Sequence, residues 1–540
     1  MATNFDFMAS SPGSSSPSLP SDWQQTEHED LQALLNLVKQ GGSPITLQDM
    51  LDAIGREGIR EDDPRLLPFI HQHRRLRSNG QYSYQADIPR ENCEEFIQEN
   101  RTIQHALTKR LVVPDFKAFC KEISRIFGET NQLKGGKVAD YIPQLARVSP
   151  NRFAVSICTV DGQRFSLGDS KENFCLQSTC KTINYALAIE EHGTDYVHGH
   201  VGREPSGRSF NELSLNDLGL PHNPLINAGA IMCSSMLRTQ LNPADRYDYV
   251  EEAWSRLCGG RPVTFDNAVY LSERETADRN FALAYFMREN NAFPAGTNLQ
   301  ETLDLYFQCC SISSCTDDLS VAAATLANAG TNPLTGEQIF QSRTIQHLLS
   351  LMLTCGMYDF SGEFAFKIGL PAKSGVSGAM MVVVPNVMGI SIWAPPLDQL
   401  GNSVKGVAFC EKLIEKFNFH PYNFHAKQDE WQDPLQRKDE SAYSRTFHLI
   451  YSASKGDIEE LKRLQAEGVN LDACDYDGRT ALHLAVEENR GQVVRFLLDQ
   501  GAFHSPKDRW GNTPLDSALN QGNHSMASFL RESGAIQPNE

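Results

Sequence analysis

At 540 residues the chain is longer than one ordinary hydrophobic core can organise, so two to four domains are expected and a single-module peptide binder is excluded. Apolar residues at 40% and charged residues at 21% fit a folded, soluble protein rather than a collagen, a coiled coil or a wholly disordered chain. Lys and Arg number 49 against 67 Asp and Glu, and the formal charge of −18 argues against nucleic-acid phosphates and anionic lipid as partners.

From Ser10 to Ser21 ten of twelve residues are Ser or Pro, too few apolar groups to offset the entropy of ordering, so residues 1–30 are expected to be disordered. The first basic residue is Lys39, and no basic import signal is legible ahead of it. Helix-period apolar spacing then runs in short blocks from Leu31 to about Phe127, including Phe116, Phe119, Ile123 and Ile126, and predicts a helical domain over 31–130. Within it Glu61-Asp62-Asp63 lacks the alternating ladder and glycine of a calcium loop, so no metal is expected there. The basic stretch His71–Arg77 has no interleaved aromatics for base stacking and reads as a solvated helix end.

Phe153–Val160, the Asp161-Gly162 turn signal and Gln163–Leu167 predict a β-hairpin. About two hundred residues of helical patterning follow, and then a second hairpin, Met380–Val384 and Val387–Trp393, around Pro385-Asn386. The stretch Ser374–Leu397 carries no charge, but its Pro and Gly interruptions and β-branched flanks fit a buried hairpin and not a membrane span. A sheet built from both chain ends with helices between them is α+β, and this block is assigned to 131–425. Residues 426–440 read as a polar linker. Beyond it Gly478-Arg-Thr-Ala-Leu482 recurs as Gly511-Asn-Thr-Pro-Leu515, 33 residues later, and Gly468, Gly501 and Gly534 keep the same interval. That period resembles ankyrin repeats, an all-α solenoid over 441–536 that often binds proteins. The thirteen cysteines form no C-x-x-C pair and read as reduced, mostly buried thiols.

The chemistry is expected at Ser178-Thr-Cys-Lys181, ahead of the apolar run Ile183–Ile189 and the helix stop Gly193. Ser and Lys one helical turn apart share a face, and a neutral lysine amine there could accept the serine proton. Ser452-Ala-Ser-Lys455 has the same spacing inside the repeats, so spacing alone does not decide. Lys373-Ser-Gly375, just before the Met380 strand, does separate them: penicillin-recognising serine enzymes place such a K-[ST]-G strand along one wall of the cleft. Tyr358 lies between the two motifs and is a candidate proton relay, or a packing residue. The S-D-N element of β-lactamases is missing, which argues against a β-lactam substrate.

Taken together, Gln177–Lys181, Val201-Gly-Arg-Glu-Pro-Ser-Gly207, His222–Ala230, Ser272-Glu-Arg-Glu, Asp278-Arg-Asn280, Cys355–Gly362 and Pro371–Val376 resemble the serine-dependent glutaminases, in particular the animal phosphate-activated type with its ankyrin tail. The resemblance implies a β-lactamase-like catalytic domain that hydrolyses L-glutamine to L-glutamate and ammonia. It implies Ser178 as nucleophile with Lys181 and Tyr358 moving its proton, and Glu273 holding the substrate ammonium. Asn227, Asn280 and Tyr306 would bind the head group and Tyr141 would lie over the reacting amide. The Ser178 and Val376 N–H groups would receive the oxyanion. The resemblance implies no metal or organic cofactor, inorganic phosphate as an activator through the loop Glu204–His222, a homotetramer, and mitochondria as the compartment. The absent basic leader makes the cytosol the alternative compartment. Two rivals are a catalytically silent ankyrin-bearing scaffold and a β-lactamase-like or peptidase-like hydrolase using the same serine.

Overall fold

The computed structural model describes residue 38 and residues 44–76, 82–207, 212–422, 432–435, 438–466 and 469–534. The tail expected to be disordered and most of the expected linker lie outside them. The chain divides into two compact units, Met1–Leu111 and Val112–Glu540.

In the first unit Thr46 opens the Leu47–Arg56 helix with a capping box closed by Asp49, which satisfies N–H groups that a helix start leaves unpaired. Leu47, Met50, Leu51 and Ile54 recur at helical spacing and are buried. They join Phe69, Phe96, Ile97 and Ile103 in one core, where Phe69 stacks on Phe96 with centroids 4.1 Å apart. The strands β1 (Ile45–Thr46), β2 (Arg75–Leu76), β3 (Tyr82–Ser83) and β4 (Asp87–Ile88) pair antiparallel as β1 with β4 and β2 with β3. The Asp63 carboxylate is fully buried and accepts from both Nε and Nη2 of Arg65, at 2.8 and 2.7 Å.

The second unit is built on a five-stranded antiparallel sheet. Its strands are β5 (Ala154–Thr159), β6 (Arg164–Gly168), β10 (Ala372–Ser374), β11 (Ala379–Val384) and β12 (Met388–Trp393), in the order β10-β11-β12-β5-β6. Both predicted hairpins are present, and the second turns at Asn386, whose φ of 62° is the left-handed geometry that Asn tolerates. The pairing of β12 with β5, Ile390 opposite Ile157, joins the two chain ends. Strand alternation divides the core: Met380, Val382 and Val384 pack with Phe119, Ile123, Phe409 and Leu413, while Ala379, Met381 and Val383 face the helical lobe. The sheet is thus covered on both sides, which explains an uncharged Ser374–Leu397 without a membrane. No described helix is long and apolar enough to cross one.

The helix Phe116–Asn131 belongs to this second unit, although its period alone groups it with the N-terminal helices. Its apolar stripe is buried against the sheet and the Val404–Lys416 helix. On the other face Thr316–Ala327 approaches β12 so closely that a Cβ on Gly389 would stand 2.1 Å from the Ala324 nitrogen. A small sheet, β7 (Phe174–Cys175), β8 (Thr264–Phe265) and β9 (Ile312–Ser314), in the order β7-β9-β8, joins the segment before Ser178 to the helical lobe.

One glycine here gives a stability test. A Cβ on Gly356 would meet the Ala372 carbonyl at 1.7 Å and the Met352 carbonyl at 2.4 Å, with no side chain free to yield. Gly356→Ala is expected to cost about 3 kcal/mol, read as a lower urea midpoint at unchanged m-value.

The 33-residue period appears as stacked helix pairs. Thr480 and Thr513 cap the helices Ala481–Glu487 and Pro514–Asn520, and Gly478 and Gly511 take φ of 74° and 85° just before them. Leu482, Leu515, Val494 and Leu497 share the buried seam of the array. Ser452 and Lys455 fall in the helix Lys438–Lys455, and the Lys455 ammonium lies 5.5 Å from the Tyr451 ring centre.

Candidate active site

Ser178 occupies the 3-10 turn Gln177–Thr179, and the α-helix Cys180–His192 follows at once, ending at Gly193 with φ of 80°. The expectation that serine and lysine share one α-helix is corrected in this detail: the serine sits on the tighter turn and the lysine in the first turn of the helix. Residues Cys180 to Ile189 are all buried, so the helix is central to the lobe and its start is held rigidly. Gln177, with φ of 48°, takes a left-handed conformation uncommon for a side-chain-bearing residue. Tyr358 has φ of 54° in its own 3-10 turn. Both of these strained positions flank the serine, where the surrounding packing must hold them.

Lys181 Nζ donates to Ser178 Oγ at 2.6 Å, and the two residues are 2% and 7% exposed. Tyr358 hydrogen-bonds Ser178 as well, and its hydroxyl donates to the Ser374 carbonyl at 3.1 Å. Burial raises the Tyr358 phenol well above its ordinary value, while the bond to Ser178 acts in the opposite direction. Lys373 is fully buried, donates to the carbonyls of Ser374 (2.8 Å) and Gly356 (3.2 Å), and stands 4.6 Å from the Tyr358 ring centre. Burial, and then the charge of Lys181, push the Lys373 ammonium far below the usual lysine range. Among the described residues neither lysine forms an ion pair with a carboxylate.

The turn from β10 to β11 closes over this group because residue 375 is glycine. A Cβ there would lie 2.9 Å from the Leu176 carbonyl and 3.4 Å from Thr179 Cγ2. Val376 follows, and its N–H donates to none of the described residues.

On the other side Glu273, 8% exposed in the helix Asn267–Glu275, accepts at Oε1 from the Tyr141 hydroxyl (2.5 Å) and Gln177 Nε2 (3.0 Å). Its Oε2 has no partner among the described residues and is free for a cation. Burial raises the Glu273 carboxyl above its ordinary value, while the two hydrogen bonds and then the Lys181 charge act against the rise. Tyr306 donates to Asn227 Oδ1 at 3.3 Å, and Asn227 Nδ2 donates to Asn280 Oδ1 at 3.2 Å. The Tyr306 ring centre is 5.5 Å from Lys181 Nζ, which ties this amide row to the nucleophile. Asn227 makes no cap bond to the Asn227–Met236 helix, and Tyr306 is both core and hydrogen-bonded.

The nine residues expected at the site thus fall into three linked groups: Ser178, Lys181, Tyr358 and Val376; Tyr141 and Glu273; and Asn227, Asn280 and Tyr306. Gln177, which the sequence offers only as part of the motif around Ser178, joins the first two groups through its bond to Glu273. A buried glutamine before a serine carries no periodic signal that would have marked it. The arrangement brings a serine hydroxyl in contact with a lysine amine, a buried carboxylate and a row of amide and phenol groups into linked positions, which suits an uncharged amide carried by a small zwitterion. Among the described residues no three His, Cys, Asp or Glu side chains are placed to hold a metal.

Comparisons with known proteins agree with this geometry. A family model described as Glutaminase matches residues 136–422, one for three copies of Ankyrin repeats matches 446–540, and one for an EF-hand domain matches 31–114. The mitochondrial liver isoform of glutaminase from Rattus norvegicus is 43% identical over 91% of this chain and 81% of its own length. Putative glutaminase 2 of Caenorhabditis elegans is 44% identical over 89% of this chain and 82% of its own. Among solved structures, a probable glutaminase, ybaS, superposes with a TM-score of 0.53 at 35% identity, covering 56% of this chain and 98% of that one.

Proposed function

The chain belongs to the glutaminase family and hydrolyses the side-chain amide of L-glutamine to L-glutamate and ammonia, and from that premise we propose that Ser178 carries the reaction through a γ-glutamyl ester. The observation that carries this reading is the 2.6 Å contact between Lys181 Nζ and Ser178 Oγ in a buried pocket without a paired carboxylate. Burial, and then the charge of Lys181, favour the neutral amine at Lys373. Ser178 Oγ attacks the amide carbon as its proton passes to Lys181 Nζ, the atom in contact with it, with the Tyr358 hydroxyl bridging toward the leaving nitrogen. The Ser178 and Val376 N–H groups receive the oxyanion, each lowering the barrier by roughly 3 kcal/mol. Collapse breaks the C–N bond, the nitrogen takes the proton and leaves as ammonia, and water then cleaves the ester by the reverse route.

Substrate selection follows from the remaining groups. Glu273 Oε2 takes the α-ammonium, Asn227, Asn280 and Tyr306 take the head group, and Tyr141 closes over the amide while its hydroxyl orients Glu273. Asparagine, one methylene shorter, leaves its amide carbon short of Ser178 once its ammonium is seated. Ammonia release from glutamine with none from asparagine is the expected outcome. Equal rates for the two would overturn this assignment of Glu273.

Glu273→Gln keeps an acceptor for Tyr141 and Gln177 and removes only the charge. Its kcat/KM for glutamine is expected to fall on the order of a hundredfold, mostly through KM. Because the folded-state carboxyl is raised, the folded chain binds more protons than the unfolded one between 4.5 and that raised value, and stability falls as pH rises through that window. Glu273→Gln removes this loss, so at pH 7 it is expected to melt higher than the parent chain.

No metal or organic cofactor enters any of these steps. Phosphate activation through Glu204–His222, of which residues 208–211 lie outside the described ones, rests on the resemblance, as does a homotetramer. A mitochondrial location is supported by the mitochondrial rat relative, and a protein partner for the repeats by their ankyrin type.

A further inference from the structure

Tyr358 reaches Ser178 from a conformation that its own preferences oppose. Its φ of 54° lies in the left-handed region, where a residue with a side chain stays only if its surroundings hold it. The phenol oxygen is at the far end of the ring, so a return of φ to the ordinary negative range would swing the hydroxyl away from the serine. Groups outside the turn must therefore fix it.

The bonds around residues 356–358 identify those groups. The Met357 N–H donates to Ser361 Oγ at 3.0 Å, and the Ser361 hydroxyl donates to the Tyr358 carbonyl at 2.7 Å, so one side chain grips the backbone on both sides of the Tyr358 α-carbon. The Met357 carbonyl accepts from the Phe360 N–H of the turn at 3.1 Å and from Asn402 Nδ2 at 3.3 Å. Asn402 is itself fixed by Asp398, whose carboxylate accepts from the Asn402 N–H at 2.9 Å and whose N–H donates to the Asn402 carbonyl at 2.8 Å. Gly401, beside it, lies against the ring: a Cβ there would stand 3.7 Å from Cδ2 and Cε2 of Tyr358. Lys373 ties the two ends together, donating to the Gly356 carbonyl and to the Ser374 carbonyl that also accepts the Tyr358 hydroxyl.

We propose that Ser361, Asn402 and Lys373 form a clamp that places the Tyr358 hydroxyl, and that they are positioning residues for glutamine hydrolysis. All three are buried, and their side-chain hydrogen bonds go to the Tyr358 turn and to the acceptor of its hydroxyl, none of them to Ser178, Lys181 or Glu273. Lys373 adds a second service. When Tyr358 turns its proton toward the leaving nitrogen, the Ser374 carbonyl keeps Lys373 as a donor, so the movement leaves no buried acceptor unpaired. Removing Lys373 leaves each carbonyl one partner, the Ser374 N–H for Gly356 at 3.1 Å and the Tyr358 hydroxyl for Ser374, so the chain is expected to fold without it. The inference rests on the relay role proposed for Tyr358.

The test places Ser361→Ala, Asn402→Leu and Lys373→Met in the full chain and again in a Tyr358→Phe chain, with kcat and KM for glutamine measured below the unfolding transition of each. Tyr358→Phe alone is expected to lower kcat about a hundredfold. In the parent chain each clamp variant is expected to lower kcat about tenfold and to leave KM within about twofold. In the Tyr358→Phe chain each is expected to cost less than about threefold, because the hydroxyl it places is already gone. A residue that only supports the fold loses the same factor in both chains; that result, or a parental kcat in the single variant, removes the residue from the clamp and leaves the relay standing. Tyr358→Phe at parental kcat refutes the relay and the clamp's role with it. One variant that does not fold leaves the decision to the other two, and failure of all three to fold would assign these residues to stability and overturn the proposal.

Discussion

Ser178→Ala is expected to lower kcat for glutamine by on the order of 10⁵-fold while leaving glutamine binding near that of the parent chain. The reasoning is that Oγ is the atom to which the amide carbon transfers, and no second nucleophile takes its place. Cys180, Cys309 and Cys310 are the nearest candidates in sequence or space, yet all three are buried. Burial pushes the Cys309 thiol up to about 12, and the bond from Cys180 followed by burial takes Cys310 further, so neither supplies a thiolate near neutral pH. The head-group residues contact neither the Oγ atom nor its proton, so binding survives. Calorimetry with glutamine on the alanine variant, set beside a steady-state ammonia assay, separates the two quantities. A kcat within tenfold of the parent chain would remove Ser178 from the mechanism.

Lys181→Met is expected to lower kcat by about 10³-fold or more, because it removes the group that accepts the serine proton while filling nearly the same volume. The loss should fall on kcat, with glutamine binding near that of the parent chain. Stability should move the other way. Lys373 is held below the usual lysine range in the folded chain, so the unfolded chain binds more protons between that depressed value and 10.5, and stability increases with pH across that window. Removing the neighbouring charge of Lys181 lifts part of this depression, and the variant is expected to melt at or above the parent temperature at pH 7. A variant that unfolds early and keeps kcat within tenfold of the parent chain would show Lys181 to be packing and not a base.

What the chain discloses about itself before folding is uneven, for physical reasons. The two hairpins are readable because alternation with period two and the turn residues Asp161-Gly162 and Pro385-Asn386 are local signals, and the strands formed where these fall. The repeats are readable because a glycine and a capping threonine return every 33 residues. Ser178 and Lys373 are 195 positions apart, and what brings their segments together is the bare α-carbon of Gly375 against Leu176, a contact with no periodicity. The 3-10 geometry of the serine is hidden for the same reason, since the left-handed Gln177 is imposed by its surroundings and not by its own preference. Helix Phe116–Asn131 has the same apolar spacing as its N-terminal neighbours, and spacing does not say which core a stripe will face. Tyr141, Glu273, Asn227 and Asn280 came forward only through family resemblance, because isolated polar residues on different segments of the chain share a pocket by tertiary packing alone.

The account stands or falls on which atom holds the substrate. Acid quenching of the chain during turnover of isotopically labelled glutamine, followed by mass mapping of its peptides, reads that atom directly. The predicted result is a γ-glutamyl ester on Ser178, lost in Ser178→Ala and more slowly formed in Lys181→Met. Label on a cysteine or another hydroxyl, or turnover that proceeds with no covalent adduct at any quench time, would contradict it.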